Sequence, residues 1–433
     1  MKEHLWIRLA VGLALACAAL VAQAGEAGSA GATTAPRLAG RLASSPVVAV
    51  GHVSRVQPFD HDRVRVIYLT LDRILKGEER LGAGGGALEI VEMRDRPSAP
   101  GLLNAGDYAV VFLSRMKRGS YLDETLGWAR RWQASGGASG VIADADQTSV
   151  RAAAALVGRL ADWSRNPAVT AGERADARRA WVFDAVSGDH WALVEEGAAG
   201  LTEIQGLDGD LQPIERARLE KAVQRGDLPP RVRAALIAAI GDAGLTSLGP
   251  TLVTLKIDAP EVLEASWQAQ TTLGVPPRTA DIERRLRDGK PAVRAVAARG
   301  YVNTAPKDAV PALGRFLAGE DDPTVRIAAL EALGTLEDEE ALKVIETSFV
   351  EDGELAVRQA AGRVVFEQGG DVAAESLGRL AFEAAPEGQR HAVALLMALR
   401  RPADDPTLKR LREKHSDPKV QELLEHGFPD GHH

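Results

Sequence analysis

The sequence predicts an all-β domain followed by an all-α domain, namely a small β-barrel and then an α-solenoid of stacked helical hairpins. Three observations support this fold class. Short apolar runs separated by turn residues lie between residues 47 and 142. A helical pattern follows, and aromatic residues make up only 4% of the chain. Within that pattern, a set of residues recurs at steps of 30 to 32 positions.

The first 24 residues carry the features of a secretory signal peptide. Lys2 and Arg8 mark a charged start, and an apolar run over residues 9–21 ends at the small-residue site Ala22-Gln23-Ala24. This run is too short to span the roughly 30 Å hydrocarbon core of a bilayer. The sequence therefore predicts export, to the periplasm or the medium, and no membrane span.

Cys17 is the sole cysteine and lies inside the predicted signal peptide. A lipid anchor on Cys17 is the alternative, although a lipobox usually has Leu where this chain has Ala14. Cleavage after Ala24 would leave no disulfide, no cysteine nucleophile and no thiolate metal ligand. Residues 25–36, rich in Gly, Ala, Ser and Thr, are predicted to be a flexible lead.

Residues 37–165 are predicted to form the barrel and a helix that closes it. Five or six β-like segments alternate with turn residues, which include the glycine-rich residues 82–86. A helix is predicted from about Ser149 to Trp163, because apolar residues recur there at helical spacing. The predicted strands cover residues 47–56, 64–71, 88–93, 108–113, 128–133 and 141–142.

Three segments of this region, residues 47–53, 69–77 and 106–113, are similar to netrin-like and tissue-inhibitor-type OB barrels. The resemblance covers about residues 38–145 and implies an OB-like barrel. In the metalloprotease inhibitors of that type, an N-terminal cysteine and its free amine meet the zinc of the enzyme. No cysteine is available here, so that activity is not implied. A barrel that binds an extracellular enzyme remains the alternative function.

Residues 166–227 are predicted to be a helical connecting region with Gly and Pro breaks. An unrecognised enzyme site within residues 166–230 is a third hypothesis, and it would require a deep cleft with convergent His, Asp or Glu. Tryptophans concentrate near this region and are predicted to cement the barrel to the helices that follow, with glycan stacking as the alternative. They are Trp128, Trp132, Trp163, Trp181 and Trp191.

Residues 228–426 repeat at steps of 30, 31, 32, 32, 32 and 31 positions. Proline stands two residues before five of the seven anchor residues, which suits the first turn of a helix. A hairpin of this length cannot bury its apolar stripe alone, so neighbouring hairpins must stack. The anchors are Val232, Val262, Val293, Val325, Val357, Gln389 and Val420.

One unit carries a specific resemblance. Residues 322–326, Asp-Pro-Thr-Val-Arg, are followed by small and apolar residues up to Gly334, and the unit resembles a HEAT repeat of the phycobilisome-lyase type. The match extends over about residues 228–426, with departures at Leu263 and Ser266 in the second unit. The resemblance implies a curved superhelix with the second helices on the concave side, and a protein-binding role.

The predicted function is that of an exported scaffold or adaptor that binds another protein, because a broad surface suits a macromolecule better than a metabolite. The candidate contacts are basic surface positions of the second helices, with simple solvation as the alternative. They are Arg315, Lys343, Arg379 and Lys409.

An arginine directly follows most anchors, and these arginines would line up along the solenoid. They are predicted to pair with nearby acids such as Asp322 or Glu354, and a stripe for an acidic partner is the alternative. The recurring residues are Arg294, Arg326, Arg358 and Arg390.

The sequence favours neither an enzyme nor a nucleic-acid binder. The net charge of the whole chain is −8. Residues 166–433 have a net charge of about −12, and residues 36–165 have a net charge of +4. Residues 82–86 lack the Gly-Lys-Ser/Thr of a phosphate loop, and no Gly-x-Ser-x-Gly elbow occurs. Residues 60–62 lack metal-site spacing, and so does the C-terminal set of His426, Asp430, His432 and His433, most of which lies in the tail, residues 427–433. We therefore expect no catalytic residue, cofactor or metal.

Overall fold

The computed structural model of the chain divides into two compact units, residues 1–197 and 198–433. The predicted signal peptide with Cys17, the lead, residues 60–62 and 82–86, and the tail all lie outside the described residues. The described residues are 38–59, 63–81, 87–93, 101–115, 132–135, 141–144, 146–165, 170–204, 206–304, 306–336, 338–402 and 405–426.

The first unit contains the predicted barrel. Its strands pair in the order β1-β2-β3-β5-β4, and β4 pairs back with β1, so five strands close into a ring. The short β5 is parallel to β3, while β6 extends the sheet from β4. The strands are β1 (Val47–Phe59), β2 (Val64–Lys76), β3 (Ala87–Met93), β4 (Tyr108–Arg115), β5 (Trp132–Ala134) and β6 (Val141–Asp144).

The long strand β1 bends at register shifts against β2, and one shift follows Val50. At Gly51 an added Cβ would lie 2.0 Å from the carbonyl oxygen of Thr70, so only glycine fits this close crossing. The alternation of β1 sends Val47 and Ala49 into the barrel and Val48 to its outer face. Residues 47–51 of β1 are therefore buried on both faces of the strand.

The outer face of β1 and β4 is covered by a helix, α2 (Gln147–Arg165), which is the predicted closing helix. Its apolar stripe packs on Val48, Val110 and Phe112, none of which is exposed. A short preceding helix, α1 (Leu38–Ser44), adds Leu42 to the same cluster. The stripe consists of Val150, Ala153, Ala154, Leu156, Val157, Leu160 and Ala161.

Two more helices complete the first unit: α3 (Ala171–Val186) and α4 (Trp191–Leu201), which runs into the second unit. Thr170 and Glu173 form a capping box that satisfies the first N–H groups of α3. The indole Nε1 of Trp181 donates to the carbonyl oxygen of Leu156 at 3.1 Å, and its ring packs on the α2 cluster. The predicted cementing role is confirmed for Trp181.

The second unit is helical throughout its described part. After the end of α4 it contains α5 (Leu207–Asp210) and α6 (Pro213–Gln224) and continues as hairpins. The first helices of the hairpins are α7 (Pro230–Asp242), α9 (Pro260–Thr272), α11 (Pro291–Thr304), α13 (Pro323–Gly334), α15 (Leu355–Glu367), α17 (Pro386–Ala398) and α19 (Pro418–His426). The second helices are α8 (Gly249–Val253), α10 (Thr279–Arg285), α12 (Pro306–Gly319), α14 (Glu339–Glu351), α16 (Gly370–Glu383) and α18 (Pro406–Lys414).

Each first helix packs on the next first helix, from α7 through to α19. The second helices from α12 to α18 form a row, since each of them packs on the next. This is the predicted solenoid arrangement, in which every hairpin buries its apolar stripe against its neighbours. No described helix has both the length and the apolar composition of a membrane span.

Proline marks the starts of six of the seven first helices. At the sixth unit the register predicts a start at Glu387, but α17 begins one residue earlier, at Pro386. The reason is physical, because the fixed φ and missing N–H of proline suit the first helical position. The exception is α15, which begins at Leu355.

Candidate functional site

The four predicted contact residues lie on four successive second helices. Arg315 is on α12, Lys343 on α14, Arg379 on α16 and Lys409 on α18, and all four side chains are exposed. Because α12, α14, α16 and α18 pack side by side, the structure brings these residues to one row of helices.

Two of the four already have ion-pair partners. The Nζ of Lys343 lies 3.1 Å from Glu339 Oε1 and 2.8 Å from Glu340 Oε1, and these pairs raise the pKa of Lys343. Arg379 donates to Glu346 on the neighbouring helix α14. Exposed ion pairs of this kind contribute little to stability, because solvent screens them.

Arg315 and two acids, Glu283 and Asp308, act together on the buried Tyr301. The hydroxyl of the buried Tyr301 donates to Glu283 Oε1 at 3.4 Å. Burial raises the pKa of Tyr301, Glu283 and Asp308 raise it further, and Arg315 lowers it. These residues connect α10, α11 and α12, so Arg315 belongs to a small charged cluster of mixed sign.

Lys409 is one of four basic residues on α18, against a single acid, Glu413. All four are exposed, and the guanidinium of Arg410 lies 5.3 Å from the ring centre of Phe382 on α16. Helix α14, on the other side of α16, has the opposite balance, with four Glu against one Lys. The row of second helices is therefore strongly polarised. The basic residues of α18 are Lys409, Arg410, Arg412 and Lys414.

The arginines that follow the anchors serve a different purpose, since they tie consecutive hairpins together. Arg294 makes a two-pronged contact with Glu320, with its Nη2 and Nε at 2.7 and 2.8 Å from the two carboxylate oxygens. Arg326 contacts Asp352 in the same way, at 2.9 and 3.0 Å. We call each such contact, from one hairpin to the loop before the next, an arginine strap.

The predicted pairing with acids is confirmed for Arg294, Arg326 and Arg390, which contacts Asp417, but the acids differ from those predicted. Asp322 instead caps α13, where it accepts from the N–H of Thr324 at 2.8 Å. The acid contacted by Arg326 is Asp352 rather than Glu354. The hydrogen bonds from Arg294 hold the pKa of Glu320 below its usual range.

The arginine strap from α15 to the loop before α17, at the joint of these two helices, lacks its carboxylate partner. Arg358 donates to the carbonyl oxygens of Asp352 and Gly353, at 2.7 and 3.2 Å. The position equivalent to the acids Glu320 and Asp352 in the next loop is Ala384. The acid of this strap is therefore replaced by a methyl group.

The same joint holds His391, which the sequence analysis did not single out. Its ring stacks on Phe349 of α14, with centres 6.0 Å apart and planes 13° apart. Its Nε2 is buried without a hydrogen-bond partner among the described residues. The sequence indicates only that this unit differs from the others, because its anchor is Gln389 where the other units have Val.

The described residues offer little for a small ligand. An open depression of about 540 Å³ lies beside Ser44, Lys76 and Arg80 at one end of the barrel. Its lining is mainly polar, whereas small-molecule sites are usually enclosed and mainly apolar. Within the described ranges, no group of three or more His, Cys, Asp or Glu is placed to hold a metal ion.

Comparisons with known proteins address the helical half. Residues 279–366, which run from α10 into α15, match a family model described as HEAT repeats. The phycobilisome-lyase subtype remains a prediction. No curated protein matches the chain.

Among solved structures, human deoxyhypusine hydroxylase in complex with glycerol is 18% identical, and the alignment covers 58% of this chain and 94% of that chain. The TM-score is 0.25, so this likeness supports no conclusion about function.

Proposed function

We propose that this protein is an exported scaffold or adaptor that binds another protein through the second helices of its HEAT repeats. Arg315, Lys343, Arg379 and Lys409 would be among the contacts. Export, to the periplasm or the medium, rests on the signal-peptide pattern of residues 1–24.

The row of exposed second helices supports this proposal most strongly. Apolar residues of both helices and the straps hold the hairpins together, while the charged side chains of the second helices are exposed and available for contact. Broad surfaces of stacked repeats suit protein partners. The match to HEAT repeats over residues 279–366 supports the same class of function.

Site-specific photo-crosslinking in the cell tests the proposal. A photoreactive residue would replace Arg315, Lys343, Arg379 or Lys409 in the full-length protein, one at a time. Matched controls would carry it at Glu261 or Lys419, which are exposed on the first helices α9 and α19. We expect one partner protein to be crosslinked from the four positions and not from the controls.

Other outcomes decide against the proposal. Crosslinks that arise equally from Glu261 and Lys419 would contradict a surface on the second helices. Crosslinks obtained only from a probe in the barrel, such as at Arg55, would favour the alternative of a barrel that binds an extracellular enzyme. For export, we expect the protein recovered outside the cytoplasm to begin at Gly25, and a cytoplasmic protein that retains Met1 would contradict it.

A further inference from the structure

The surface formed by α14, α16 and α18 has a defined orientation. Arg401 bonds to Asp371 near the start of α16 and to Asp405 at the start of α18, at 2.9 Å in the second case. At the other end, the Nε2 of His415 lies 2.8 Å from the carbonyl oxygen of Ala381. At this end, a Cβ added to Gly388 would lie 2.9 Å from Ala384 Cβ, directly after α16, and 3.5 Å from Phe349 Cε1, near the C-terminus of α14. The three helices therefore run parallel, with their N-termini along one edge of the surface and their C-termini along the other.

One corner of this surface is acidic. The side chains of Glu339 and Glu340, at the N-terminus of α14, are 84% and 72% exposed, and Asp338 caps the helix beside them. Lys343 pairs with both glutamates but neutralises only one charge. Carboxylates are stable at this position because a helix N-terminus carries partial positive charge.

The diagonally opposite corner is basic. It is formed by the last turns of α18, where Arg410, Arg412 and Lys414 follow Lys409, and it lies at the C-terminal edge on the far side of α16. Its one acid is Glu413. The C-terminal half carries a net charge of about −12, so this corner is a basic exception in an acidic surrounding.

We propose that these two corners join two copies of this chain. A two-fold axis that lies in the plane of the contact, along the other diagonal, would bring the acidic corner of each copy against the basic corner of its partner. Both contacts would form at once, as in the self-complementary interface of a symmetric dimer. A second copy is the fitting occupant because one surface supplies both halves of the charge match at the required positions.

The physical properties of such a contact follow from its composition. The surface is small, since three short helices offer less than the roughly 800 Å² per partner of a standard interface. Its attraction comes mainly from exposed charges, which salt screens within about 10 Å at 0.1 M. The dimer is therefore weak and salt-sensitive.

Sedimentation equilibrium of the purified full-length chain tests this inference without any other protein, so its outcome is independent of the proposed scaffold function. At about 100 μM we expect a dimer in 20 mM salt and a monomer in 500 mM salt. The double variant K409E/K414E should weaken the dimer at least about tenfold in low salt. The matched control K290E/K307E makes the same change of charge at exposed positions outside both corners and should remain dimeric.

A second variant makes the test specific for the paired corners. E339K/E340K should be monomeric alone, with circular dichroism confirming that it is folded. A mixture of E339K/E340K with K409E/K414E should form a one-to-one heterodimer, because one copy then carries two basic corners and the other two acidic corners. A monomeric wild type in low salt, a dimeric K409E/K414E, or open-ended assemblies larger than the dimer would each overturn the proposal.

Discussion

At the scale of single residues, the straps explain why arginine rather than lysine follows the anchors. A planar guanidinium presents parallel N–H donors to both oxygens of a carboxylate, while its remaining nitrogen reaches backbone carbonyls. Arg326 does both, because its Nη1 also donates to the carbonyl oxygen of Asp321 at 2.9 Å. The ammonium of a lysine is a single point of charge and cannot reproduce this geometry.

Replacement of Arg326 by lysine should therefore destabilise the solenoid by about 1–3 kcal/mol, because the carboxylate of Asp352 is only 11% exposed and would lose its two-pronged partner. Urea unfolding followed by circular dichroism measures the change. Arg358→Lys is the matched control and should cost less, since Ala384 stands where the acid would be. Equal losses in the two variants would contradict a role for the carboxylate.

His391 makes the stability of the solenoid depend on pH. Burial lowers the pKa of His391 below its ordinary value of 6.5, so the folded state binds this proton less readily than the unfolded state. Its contribution to stability is present above pH 6.5 and is lost as the pH falls through that value towards the lower folded pKa. We expect Tm to fall between pH 7 and pH 5, and less so in His391→Gln. Equal falls in both proteins would rule out His391 as the group responsible.

At the scale of elements, close helix contacts depend on glycine. A Cβ added to Gly334 of α13 would lie 2.3 Å from Val364 Cγ1 on α15. Gly334→Ala should force the two helices apart and cost about 1–3 kcal/mol, as measured by the urea midpoint. Gly353→Ala, where nothing lies within 4 Å of the added Cβ, should change stability by about 0.5 kcal/mol or less. A larger loss at Gly353 would contradict this account.

The elements themselves were largely predictable from the sequence. Alternating apolar residues located the strands, although β2 continues to Lys76, five residues beyond the predicted end at residue 71. The repeat located the hairpins, because a thirty-residue period records the same packing several times. Both patterns arise because buried positions are apolar, and apolar residues can be read directly from the sequence.

The strap partners were not predictable in the same way. Several acids follow one another in each loop, and the backbone geometry of the turn decides which carboxylate faces the arginine. Thus Asp322 turns towards its own helix while Glu320, two residues earlier, faces Arg294. The basic α18 was visible as a run of residues, but the opposite acidic corner on α14 required the parallel order of the second helices.

At the scale of the whole molecule, the described hairpins of the helical half do not pack around one common hydrophobic core. Each hairpin packs on the hairpins before and after it, so its stability is a sum of local terms and neighbour terms. A fold of this kind determines how a surface is displayed and not what the surface binds. The proposed scaffold function rests on the charges of the second helices, whereas the architecture rests on the packing of the hairpins and on the straps.

Because each hairpin contacts only its neighbours, a destabilising substitution should increase local unfolding only in nearby hairpins. In Gly334→Ala, amide hydrogen exchange should accelerate in α13 and α15 and in the adjoining α11 and α17, because these helices share the disturbed contacts. Exchange in α7 and α9 should remain as in the wild type, since α11 separates α9 from α13. Hydrogen exchange with mass spectrometry resolves these helices as separate peptides. A uniform acceleration from α7 to α19 would mean that the hairpins unfold as one body around a common core, which is incompatible with a solenoid held together by neighbours alone.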